Sequence, residues 1–150
     1  MVSCAPSQTS PPASALGSRL RHLTPQDATM PRHILDEAHL HPAIRERVAG
    51  HERAIVEEVR AAVAAHPVVV VGMRANPYPA KVRRLLDAAG LPYQYLEYGG
   101  YLSDWRRRNA LKLWTGWPTF PMVFVKGVLV GGFDDLRKLL DSGELKALLG

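Results

Sequence analysis

Four consecutive valines, Val68–Val71, constrain the fold of this chain more than any other feature. β-Branched side chains favour extended backbone, and a short apolar run of this length is the pattern of a buried strand. The run is set off from what precedes it by His66-Pro67, because proline disfavours helical geometry in the residue before it. Nothing covalent is available to hold such a strand in place. The 150-residue chain has one cysteine, Cys4, which excludes an intramolecular disulfide, a CxxC redox pair and any multi-cysteine metal site within one chain. The fold must therefore stand on packing.

The elements around the valine run alternate in type. Before it, residues 42–65 read as one helix, with Ile44, Val48, Ile55, Val59 and Val63 recurring at helical spacing. Glu46, Glu52, Arg53, Glu57, Glu58 and Arg60 supply its charged outer face. After the run, residues 77–89 form a helix ended by Gly90, with Val82, Leu85, Leu86 and Ala89 on one face. Residues 93–97 are a second strand, followed by Gly99-Gly100, and residues 102–115 a further helix. Residues 122–125 and 128–130 are strands joined by a tight Lys126-Gly127 turn. Residues 133–142 and 144–149 close the chain as helices. A βαβ unit followed by a ββα unit places helices on both sides of a mixed four-stranded sheet, an α/β, thioredoxin-type arrangement.

Three divisions follow: 1–30, a disordered or non-native tail; 31–66, an N-terminal helical extension; and 67–150, the α/β domain. The tail is rich in Ser, Pro, Thr and Ala with no acidic residue before Asp27. Arg19 and Arg21 in that segment fit an organelle transit peptide, and Met30 fits an alternative start. Both readings stay open beside a cytoplasmic location. No apolar run approaches the ~20 residues that span a bilayer, so no membrane role is expected.

The formal charge of +5 suggests an anionic partner. Its clusters, Arg83-Arg84 and Arg106-Arg107-Arg108, read first as solvated helix faces. A nucleic-acid surface calls for aromatics interleaved with a longer basic stripe, which is not present. His22, His33, His39, His41, His51 and His66 show no metal-binding spacing on a secure helix and read as incidental surface residues. Trp105, Trp114 and Trp117 read as core and groove-edge packing.

Four stretches in the last 84 residues together resemble glutaredoxins, and monothiol glutaredoxins in particular. Asn76-Pro77-Tyr78-Pro79 opens a helix where the family has Cys-Pro-Tyr-Cys or Cys-Gly-Phe-Ser. Lys112–Pro121 is similar to the segment ending in Trp-Pro-Thr-hydrophobic-Pro. Val130-Gly131-Gly132-Phe133-Asp134-Asp135-Leu136 resembles the Gly-Gly-x-Asp segment, and Ser142-Gly143-Glu144-Leu145 the end of the last helices. Three departures stand out. Both motif cysteines are absent, the loop before the motif is cut to Met73-Arg74-Ala75, and Met122 stands where the family often has Gln.

The resemblance implies a thioredoxin-like fold, a glutathione groove and thiol–disulfide exchange, but the residue at the nucleophile position here is Asn76. Exchange proceeds through a thiolate, so the ordinary reaction is not expected at this position and no catalytic residue is assigned. The glutathione-binding residues implied by resemblance are Arg74, Asn76, Tyr78, Arg108, Lys112, Phe120, Pro121, Gly132, Phe133 and Asp134. In the family, the residue before a cis-proline pairs its backbone with the tripeptide's cysteine, which maps to Phe120 before Pro121. The aspartate meets the γ-glutamyl end, which maps to Asp134. Basic residues hold the glycine carboxylate, which maps to Arg74, Arg108 and Lys112. Each has a plainer reading: Asn76-Pro77 is a good helix start, Asp134 is an N-cap, Pro121 serves the fold, and Arg108 belongs to a charge run. No metal and no iron–sulfur cluster is expected, because cluster ligation in the family uses the motif cysteine. The leading functional expectation is a glutaredoxin-like domain that binds glutathione, a γ-glutamyl peptide or a protein partner without redox activity. The alternatives are an enzyme using glutathione's own thiol, polarised by Asn76 or Tyr78, and a structural module docking through the 42–65 helix.

Overall fold

A computed structural model describes residues 31–150. The expectations for residues 1–30, Cys4 included, lie outside it. The chain divides into two units, Met1–Leu40 and His41–Gly150. In the first, the described residues hold one 3₁₀ turn, Glu37–His39, capped by Asp36 through the Ala38 N–H (2.7 Å).

The second unit contains α1 (Pro42–Gly50), α2 (Arg53–Ala65), β1 (Val68–Gly72), α3 (Pro77–Ala88), β2 (Gln94–Glu97), α4 (Trp105–Thr115), β3 (Met122–Val125), β4 (Val128–Gly131), α5 (Phe133–Ser142) and α6 (Glu144–Leu149). The four strands form a mixed sheet in the order β2-β1-β3-β4. β1 runs parallel to β2 and antiparallel to β3, which pairs antiparallel with β4. This is the expected thioredoxin-like α/β fold.

The valine run occupies the second position in the sheet and explains the two-layer cover. Side chains alternate faces along a strand. Val69 and Val71, with Met122 and Phe124 of β3, pack against Ile55 and Val59 of α2 and Leu111 of α4. Val68 and Val70, with Val123 and Val125, pack against Val82 and Leu86 of α3, Leu136 of α5 and Leu145 of α6. All four valines are buried. Each contributes about 1.5–3 kcal/mol by leaving water, and a polar residue at any of them would face apolar cover.

Two expectations needed correction. The single helix over 42–65 is broken into α1 and α2 after Gly50, with Glu52 in the left-handed region at φ 45°. Only α2 carries the buried stripe; in α1, Ile44 is half-buried and Val48 is exposed. α4 begins at Trp105, three residues later than expected, because the preceding loop is tied in a non-helical form. Ser103 Oγ accepts from the Gly100 N–H (3.0 Å), and Asp104 sits at φ 55°. None of the described helices is long and apolar enough to cross a membrane.

Candidate functional site

A groove of about 570 Å³ opens where β1, α3, the loop before β3 and α5 meet. Its geometry starts from a short link. After Gly72, three residues turn the chain into α3, with Arg74 N–H bonded to Gly99 O (2.6 Å) and Ala75 at φ 63°. Asn76 follows as the N-cap of α3.

Asn76 makes two hydrogen bonds of different purpose. Its Oδ1 accepts from the Tyr78 N–H (3.0 Å), which satisfies one of the orphan donors of the helix. Its Nδ2 donates to Phe120 O (3.2 Å), 44 residues away, and ties the helix start to the opposite wall. The Phe120–Pro121 peptide is cis, and Phe120 N–H makes no hydrogen bond among the described residues. One wall of the groove thus offers an unpaired backbone donor.

The first turn of α3 has an unusual electrostatic character. Pro77 and Pro79 carry no N–H, and the Tyr78 N–H is already donated to Asn76. A helix N-terminus normally attracts anions through free N–H groups. Here none of the first three positions has one to spare.

The far wall comes from Gly132 and the first turn of α5. Gly132 is the N-cap of α5, and its N–H donates to Asp135 Oδ2 (3.2 Å). Asp135, not Asp134, therefore supplies the capping carboxylate. Asp134, read from sequence as a possible N-cap, lies one position earlier, exposed and without an ion pair among the described residues. Tyr78 and Phe133 meet at the mouth with ring centroids 6.4 Å apart, and Lys81 Nζ sits 4.6 Å from the Tyr78 centroid. Across the groove, Lys112 Nζ lies 5.8 Å from the Phe120 ring centroid. A cation and a carboxylate on different elements, aromatic side chains and a backbone donor suit a small zwitterionic, peptide-like ligand.

Of the ten residues expected at the site, the structure brings together Asn76, Tyr78, Lys112, Phe120, Pro121, Gly132, Phe133 and Asp134. It leaves out two. Arg108 is buried, and its guanidinium donates to Tyr98 O (3.0 Å) and Ser103 O. It is not a solvated charge and does not line the groove; it holds the loop before α4. Arg74 is exposed and faces Glu97 at 3.8 Å. Tyr101, Thr119 and Met73 also line the groove and were not anticipated. For Thr119 the Trp-Pro-Thr segment held the signal, whereas nothing in the pattern placed Tyr101 there.

Residues 68–130 match the family model described as Glutaredoxin. A "Glutaredoxin-like protein" of Dictyostelium discoideum is 46% identical over 91 residues, covering 61% of this chain and 74% of that protein. This chain belongs to the glutaredoxin family. Bos taurus "Glutaredoxin-3" is 34% identical over 87 residues, a match that takes 54% of this chain but spans only 25% of that protein. Among solved structures, a buckwheat glutaredoxin–glutathione complex superposes with a TM-score of 0.58 at 30% identity, covering 67% of this chain and 91% of that one. The buckwheat glutaredoxin was solved with glutathione bound, and the groove described above belongs to the same fold. Trp105, expected as packing, is 60% exposed, and Trp114 is 37% exposed; only Trp117 lies at the groove.

Proposed function

We propose that this glutaredoxin-like protein binds glutathione or a γ-glutamyl peptide in its groove and does not carry out thiol–disulfide exchange there. The observation that carries this reading is the pair of hydrogen bonds made by Asn76. A side chain without sulfur occupies the head of α3, where by family resemblance the nucleophile would stand, and both ends of its amide are engaged in holding the site together. The prolines at 77 and 79 point the same way. With Asn76 in place, the thiolate of a bound thiol would find no free N–H in the first turn to stabilise it. That weighs against the reading in which glutathione's own thiol is the reacting group. With no thiolate at position 76, no iron ligand is supplied there either.

Binding rests on other groups. Phe120 N–H is free to meet a ligand carbonyl, Asp134 is free to meet an ammonium, and Lys112 is the basic group left to meet a carboxylate. The test is a standard glutathione-coupled disulfide reduction assay run beside a glutathione titration. The expected result is saturable binding without turnover. Turnover comparable to a dithiol glutaredoxin would overturn the inactive half of the proposal, and absence of binding the other half.

A further inference from the structure

At the opposite end of β1 from the groove lies a second depression of about 660 Å³, a volume within the range that small ligands occupy. The two share no lining residue. Its floor is a stacked aromatic pair, Trp114 of α4 over Phe124 of β3, with centroids 6.0 Å apart and planes at 23°. Phe124 is buried, but Trp114 is 37% exposed, so the indole keeps part of its surface open. Val63 extends the apolar surface.

The rim is basic. Arg60, His66 and Lys126 line it, and no acidic residue does. Arg60 is compensated by Glu57 at 3.3 Å, whereas His66 and Lys126 make no ion pair among the described residues. The Lys126 backbone is held in place, with its N–H on Pro67 O (2.8 Å) at the β3–β4 turn, while its side chain is exposed. Cations near the C-terminus of α2 also complement the helix dipole. That accounts for the charge but not for a partly open indole stacked at the centre of the same depression.

We propose that this depression is a binding site for a flat aromatic carboxylate, its ring against Trp114 and its carboxylate at Lys126 and His66. Charge and shape select the class together. An aromatic ring extends the existing stack, and an anion meets the two uncompensated basic groups.

Three tryptophans in three environments make the test direct. In the ¹⁵N-labelled full chain, the indole N–H of Trp114 reports on this depression, that of Trp117 on the groove, and that of Trp105 on the exposed start of α4. The probe is 2-naphthoate, with the uncharged 2-naphthylmethanol as its control. Naphthoate should shift the Trp114 signal saturably while Trp117 and Trp105 hold still, and the alcohol should bind roughly tenfold more weakly. K126Q should weaken naphthoate by a similar factor and leave the alcohol unaffected, while K126R restores it. An unperturbed Trp117 signal in K126Q shows that the variant is folded. No saturable shift at Trp114, or equal binding of acid and alcohol, overturns the proposal. So does a Trp114 signal that moves with protein concentration alone, which would assign the face to a second copy of the chain.

Discussion

Replacing Asn76 with alanine separates a structural role from an incidental one. The substitution removes the Oδ1 cap on Tyr78 N–H and the Nδ2 link to Phe120 O. Loss of an Asn cap costs about 1 kcal/mol. Loss of one half-buried neutral hydrogen bond costs about 1 kcal/mol more. The sum, about 2 kcal/mol, corresponds to a fall of roughly 8 °C in the melting temperature of a domain this size. Urea unfolding followed by circular dichroism reads the first quantity and a thermal scan the second. N76D sharpens the experiment, because aspartate caps as well as asparagine but places an oxygen opposite the Phe120 carbonyl. It should fall about midway between the parent and N76A. A loss below about 0.5 kcal/mol for N76A, within the usual range for surface substitutions, would refute the idea that this side chain holds the site together. Equal stability of N76D and the parent would show that the link to Phe120 contributes nothing.

Other outcomes follow from the same geometry. R108A should destabilise the protein by about 3 kcal/mol in urea, because Tyr98 O and Ser103 O lose a charged donor in a buried setting. R108K should rescue little of this, lacking the planar fork; a loss under 1 kcal/mol for R108A would contradict the buried anchor. Among the described residues the buried Tyr98 hydroxyl makes no hydrogen bond of ordinary geometry, although the Glu58 carboxylate acts on it, so Y98F should stay within about 0.5 kcal/mol of the parent. Burial, and then the Glu58 carboxylate, push the Tyr98 pKa above the ordinary tyrosine value. The neutral phenol is therefore favoured in the folded state, and its contribution is intact below about pH 10 and falls as the pH rises further. Stability measured across that range should decline less steeply in Y98F. N76C frees the Tyr78 N–H but leaves positions 77 and 79 without one, so it should gain only modest disulfide reduction; N76C/P79S, which adds a donor at position 79, should exceed it in the same assay.

Much of the fold was legible because its signals are local. The valine run, the Lys126-Gly127 turn and the Asn76-Pro77 helix start each declare themselves within a few residues, and all lie where expected. The break at Gly50 was not legible, because the apolar spacing continues through it and only tertiary contact decides that α2 is buried and α1 is not. The site divides the same way. Phe120, Pro121 and Asp134 sit in short motifs and reach the groove. Arg108 sits in a run of three arginines, and helical periodicity places only one of the three fully inward. Its burial depends on two carbonyls, Tyr98 O and Ser103 O, that a loop brings back to it. The role of Asp135 as the capping carboxylate was hidden because adjacent aspartates are equivalent in sequence until the position of the cap, Gly132, is known.

The central claim is a groove that still binds what its family binds while carrying no nucleophile. Calorimetric titration of reduced glutathione into the full chain, repeated with D134A, tests it most directly. Asp134 is exposed and takes no part in capping α5, so its removal should leave the fold intact. The account predicts saturable heat in the parent at millimolar glutathione or below, weakened roughly tenfold in D134A by loss of a charged contact. No heat at millimolar glutathione in the parent, or an isotherm that D134A leaves unchanged, would contradict it.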